Sequence, residues 1–116
     1  MRKLGLCLAV VGCLCLSSCG PKPKDMLIGK WRGRSQGATV EEVVEFTPDG
    51  KVNKTPVGPG EAYGGTYRWT DNDHIETELI PPGGRAMKET CKVGVSKEAL
   101  TLTNPQGRVD KFTREP

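Results

Sequence analysis

The stretch GTYRWTDNDHIETEL, Gly65 to Leu79, decides the fold. Tyr67 and Trp69 share one face of its first half, and Ile75, Thr77 and Leu79 share one face of its second. A spacing of two residues puts like side chains on one side of a pleated strand, whereas a helix needs spacings of three and four. Between the halves lies Asp71-Asn72-Asp73, whose short polar side chains bond to nearby backbone and favour a tight bend. Strand, turn and strand make an antiparallel hairpin.

Working outward, the same grammar repeats along the chain. The predicted strands are Gly29–Gln36, Thr39–Thr47, Lys51–Thr55, Gly65–Thr70, His74–Ile80, Arg85–Val93, Leu100–Thr103 and Arg108–Thr113. Pro48-Asp49-Gly50, Pro81-Pro82-Gly83-Gly84 and Pro105-Gln106-Gly107 punctuate them, because Pro fixes φ and Gly permits positive φ. Eight short strands at near-regular spacing predict an all-β antiparallel meander, forming a barrel or partly open barrel. Val57 to Tyr63, with Pro59 and several glycines, reads as a loop at the mouth or edge of the sheet.

Alternation has exceptions. Glu42 interrupts the side shared by Val40, Val44 and Phe46, and Glu89 interrupts that of Met87, Cys91 and Val93. Val109 and Phe112 are out of phase, which predicts a bulge or a switch of faces in the last strand. The segment RAMKETC, Arg85 to Cys91, is compatible with two helical turns as well as with a strand; Thr90, Val93 and Val95 favour the strand. Trp31, Tyr67 and Trp69 belong by default to the core, with Trp31 plugging one end of the barrel.

LIGKWRG, VEFTPDGKV, GTYRWTDNDHIETEL and LTLTNPQGRVDKFTR together resemble a family of small bacterial extracytoplasmic lipoprotein domains with a lipocalin-like β-meander, similar to the uncharacterised secreted paralogous families of planctomycetes. Gly29-Lys30-Trp31 matches the Gly-x-Trp with which members begin. The resemblance implies a lipocalin-like barrel and brings no established activity. True lipocalins are longer, so a deep ligand cavity is not expected.

The first residues carry a different message. Arg2 and Lys3 precede an uncharged apolar run, Leu4 to Leu16, too short for a membrane span of roughly 20 residues. Basic flank, apolar core and small residues after it describe an export signal. Leu16-Ser17-Ser18-Cys19 looks like the lipobox of bacterial lipoproteins, which implies cleavage after Ser18 and lipidation of Cys19. Residues 1–18 are then signal, 19–26 the anchor site and a hydrated tether opposed to regular structure by Pro21 and Pro23, and 27–116 one domain. Gly20 in place of Asp favours the outer over the inner membrane by the enteric rule.

This assignment changes the composition that matters. The chain has 116 residues and formal charge +3, but losing Arg2 and Lys3 leaves 15 basic against 14 acidic residues. A net charge of +1 gives no electrostatic case for nucleic acid. Cys7, Cys13 and Cys15 also leave, so Cys91 is the one cysteine besides Cys19 and an internal disulfide is ruled out. Its register with Met87 and Val93 assigns it to the core.

Chemistry is sparse. His74 beside Asp71 and Asp73 reads as turn polarity rather than a metal site, since no second His or Cys completes the zinc set and the rest of a calcium loop is missing. Ser35 and Ser96 lack a nucleophile elbow. Glu42, Glu45, Glu76, Glu78 and Glu89 are assigned to the solvent face. No enzyme, cofactor or metal is expected. The expected role is a lipid-anchored cell-envelope domain that interacts with a protein, a polysaccharide or a small amphiphile, with inhibition of an envelope enzyme as a further alternative. The candidate contacts are Trp31, Tyr63, Tyr67, Trp69 and His74, carried on the core strands, the loop Pro56–Tyr63 and the turn Asp71–His74.

Overall fold

A computed structural model describes residues 22–116. The expected signal segment and the cysteine expected to carry lipid, Cys19, lie outside the described residues. A short helix α1 (Pro23–Leu27) precedes eight strands: β1 (Gly29–Arg34), β2 (Glu42–Phe46), β3 (Lys51–Pro56), β4 (Tyr63–Trp69), β5 (His74–Ile80), β6 (Met87–Val95), β7 (Ala99–Thr103) and β8 (Val109–Arg114). Each strand pairs antiparallel with its neighbour in sequence, and β1 also pairs β8 from Trp31↔Arg114 to Arg34↔Lys111. The barrel is therefore closed, which leaves no sheet edge.

One face of every strand fills the barrel. Trp31, Val44, Phe46, Val52, Ile75 and Leu100 are all essentially inaccessible to solvent, with Tyr67, Cys91, Val93 and Phe112 packed among them. Phe46 and Tyr67 meet edge to face with ring centroids 5.0 Å apart. Small residues set how closely neighbouring backbones approach: a Cβ at Gly65 would collide with the carbonyl oxygen of Glu78 on β5.

Residues 22–26, expected to be an irregular tether, are more ordered than Pro23 suggests. Pro23 occupies the first turn of α1, where its fixed φ is suitable and its missing N–H costs nothing. Leu27 at the end of the helix is fully buried, and its carbonyl accepts a 2.9 Å bond from Trp31 Nε1. Above the indole lies Arg114, with its guanidinium carbon 4.0 Å from the ring centroid. Arg114 also donates to the carbonyls of Met26 (2.8 Å), Ile28 (2.9 Å) and Lys97 (3.0 Å). Together α1, Trp31 and Arg114 seal this end.

Two local expectations are corrected. The last strand has no bulge: β8 runs in unbroken register with both β7 and β1. Phe112 faces inward together with half-buried Asp110 and Arg114, and Val109 begins the strand on the outward phase. An apolar residue at the strand's outer start gave the false impression of a phase change. The segment around RAMKETC is strand, but only from Met87, because Arg85 and Ala86 still belong to the loop after Pro81-Pro82.

Candidate functional site

An up-and-down meander divides its connections between two ends. The sealed end carries α1 and the tight turns β2–β3, β4–β5 and β6–β7. The opposite, open end carries the four longer loops, residues 35–41, 57–62, 81–86 and 104–108. Loops on a rigid scaffold are where binding is built, so the open end is the candidate site.

Three features distinguish it. The first is apolar exposure: the large hydrophobic side chains that stand out to solvent among the described residues are Val40 (52%), Val57 (37%), Ile80 (55%) and Met87 (61%). Val40 and Val57 lie in open-end loops, Ile80 ends β5 and Met87 begins β6, so all four belong to the open end. The β1–β2 and β3–β4 loops are joined there by Val57 N donating to Glu41 O at 2.9 Å.

The second is a charged layer in the barrel mouth, between the apolar core and the rim. Glu42, Lys54, Glu89 and Asp110 take inward positions near the open ends of their strands, all half-buried. Lys54 Nζ lies 3.7 Å from Glu42 Oε2, which has no hydrogen-bond partner among the described residues. Glu89 accepts from Asn104 Nδ2 at 3.4 Å and from Cys91 Sγ at 3.7 Å. Burial first, then the negative charge and hydrogen bond of Glu89, push the Cys91 thiol up to about 12. A neutral thiol held this way is a poor nucleophile.

The third is an open groove of about 560 Å³ on the outer wall, lined by residues 34–38 and by Gly107, Val109 and Lys111. Other surface grooves also lie along the outside of the barrel, between strands such as β4 and β5 or beside His74 and Lys92.

The five side chains singled out from sequence do not converge. Trp31 and Tyr67 are buried, and Tyr67 Oη donates to Thr47 O at 2.7 Å, a bond that ties core to turn. Trp69 is half-buried against the same core. Tyr63 starts β4 at the open end, whereas His74 starts β5 at the sealed end. The loop Pro56–Tyr63 and the turn Asp71–His74 therefore face opposite ways. At that turn His74 Nδ1 sits 2.9 Å from Asp71 Oδ1 and 2.8 Å from Asp73 Oδ1. Hydrogen bonding to Asp71 is the main cause that raises the His74 pKa above its ordinary value, while burial opposes it. Asp71 Oδ1 also accepts from Asp73 N, which completes a turn built from its own side chains. The three residues bring their ligand atoms within 4.8 Å of one another, all from one short stretch at the surface.

Glu42 and Glu89 correct the assignment of all five glutamates to solvent. Glu45, Glu76 and Glu78 do face outward, with Arg68 bridging Glu76 at 3.0 Å. Glu42 and Glu89 face the lumen, as their phase with Val44 and Cys91 required. The signal was in the alternation; chemical type alone pointed the wrong way. The exposed rim and the outer groove had no comparable signal, because they depend on which loops share an end.

The fold itself has a solved counterpart. The chain is similar to a structure described as a redesigned β-barrel, with a TM-score of 0.53 at 15% sequence identity over 82% of this chain and 96% of that one. No protein-family model and no curated protein matches the chain.

Proposed function

We propose that this chain is a lipid-anchored cell-envelope protein whose barrel acts without catalysis, as an interaction domain that presents its open end to a partner protein. Four exposed apolar side chains at the end opposite the tether carry this reading. Exposed apolar side chains concentrated at one end and bordered by polar loops support a surface that meets another protein. An anchor at Cys19 attached through α1 leaves the sealed end toward the membrane and the loops toward the periplasm or exterior. The likeness of the first residues to an export signal and lipobox supports the anchor, and Gly20 favours the outer membrane. The likeness of the strands to lipocalin-like envelope domains supports the same reading.

Carriage of a small amphiphile in the lumen receives less support. Trp31, Phe46, Leu27, Ile75 and Leu100 fill the apolar half with side chains, and charge occupies the mouth.

The test is capture of partners from envelope membranes by the lipidated chain, compared with a V40S/V57S/I80S/M87S variant. The reading expects a partner retained by the wild type and lost with the variant, while a fluorescent fatty acid shows no saturable binding to either. One-to-one fatty-acid binding that shields Trp69, with capture unaffected by the four substitutions, would overturn it.

A further inference from the structure

Arg34 and Lys111 stand directly opposite each other on β1 and β8, both on the outer face and both exposed. Like charges in this position are mutually destabilising unless something neutralises them. Among the described residues neither takes part in an ion pair, and neither side chain makes a hydrogen bond. The nearby acids are engaged elsewhere. Glu41 holds Arg32 at 3.2 Å, and Asp110 turns inward, accepting from Gln36 N at 3.1 Å with Arg108 at 3.7 Å.

The two cations line the 560 Å³ groove at the open end. Its walls are fixed by a reciprocal clip: as Gln36 N donates to Asp110, Val109 N donates to Gln36 Oε1 at 2.9 Å. Gly37 and Gly107, at φ of 86° and 88°, turn the two walls, and no atom of the described residues lies within reach of a Cβ at either. A preformed concavity therefore holds two uncompensated cations, with the Ser35 hydroxyl beside them. A planar guanidinium and a mobile ammonium side by side suit a carboxylate, which accepts two parallel bonds from arginine and a further one from lysine.

We propose that this groove is an oxyanion site that takes carboxylate side chains of an acidic peptide segment. The groove stands on its own geometry; only its use by an envelope partner rests on the interaction reading above.

The test uses the full chain in detergent micelles, followed by amide nitrogen–proton spectra. Three probes are titrated: a capped peptide Gly-Asp-Glu-Asp-Gly, its Gly-Asn-Gln-Asn-Gly counterpart, and inorganic phosphate. The acidic peptide is expected to shift the amides of Ser35, Gly37, Gly107 and Val109 saturably, and the neutral peptide to leave them in place. R34Q/K111Q should weaken this binding at least about tenfold, because it removes both charge-assisted contacts while leaving the Gln36–Asp110 clip intact. K51Q/K88Q, with the same charge loss on other strands, should change it by less than about twofold. Equal shifts with the neutral peptide, or undiminished binding by R34Q/K111Q, would overturn the site. Saturation by phosphate alone would assign the groove to a free anion and overturn the peptide assignment. None of these outcomes bears on partner capture through the apolar rim, so the two readings fail separately.

Discussion

Arg114 joins α1, the β6–β7 turn and the Trp31 ring through one guanidinium. Arg114→Ala leaves three carbonyls short of a donor and removes the cation from the indole face. A loss of about 2–4 kcal/mol is expected in urea unfolding, from charge-assisted hydrogen bonds and a cation–π contact of ordinary strength. Arg114→Met, which keeps apolar bulk over Trp31, should recover part of it; a loss below about 0.5 kcal/mol for Arg114→Ala would contradict the seal. Cys91 gives a second residue-scale test. With the residue 6% exposed and its thiol held neutral, alkylation at pH 8 should be far slower in the folded chain than in denaturant, and cross-linking of two folded copies should fail. Equal rates would place the thiol at the surface. His74 gives a third. Its folded pKa lies above the ordinary 6.5, so its contribution to stability is full below 6.5 and is lost as pH rises through the folded value. Carbon-bound imidazole proton shifts should titrate above 6.5 in the wild type and move downward in Asp71→Asn; an unchanged midpoint in that variant would dissociate His74 from the turn.

At the scale of elements, β2 and β3 carry a charge pair on the lumen side. Removing only the cation, as Lys54→Met, leaves Glu42 half-buried without its partner and should cost about 1–2 kcal/mol, less than a fully buried pair because water reaches both side chains. Replacing both, as E42L/K54M, should be neutral or stabilising by thermal melting, since apolar side chains lose nothing by desolvation. A double variant less stable than Lys54→Met would show that the charged layer itself holds the mouth together. The same strands show how far sequence reading reaches. Hairpins were legible wherever alternation met a strong turn, as from Gly65 to Leu79. The inward direction of Glu42 was equally legible by phase, and reading it as a solvent residue gave chemical type precedence over geometry. Val109 misled in the reverse sense, being apolar at a position that leaves the core. The helix at Pro23 was obscured because proline opposes helix everywhere except in the first turn.

For the molecule as a whole, the barrel class was readable because each strand carries its own alternation and each turn its own chemistry. Closure between β1 and β8 was not, since the pairing of Arg34 with Lys111 depends on the accumulated stagger of every strand between them. For the same reason the open end could not be assembled from the sequence: Val40, Val57, Ile80 and Met87 come to one end only when alternate loops are assigned to it. The proposed division of labour, anchor at the sealed end and recognition at the open one, rests first on Cys19. The most direct measurement is the intact mass of protein extracted from membranes of cells expressing the wild-type gene. Residues 19–116 plus a diacylglyceryl group and a further acyl chain are expected, both additions being absent from Cys19→Ala. Unmodified wild-type protein in the soluble fraction, indistinguishable from Cys19→Ala, would contradict it.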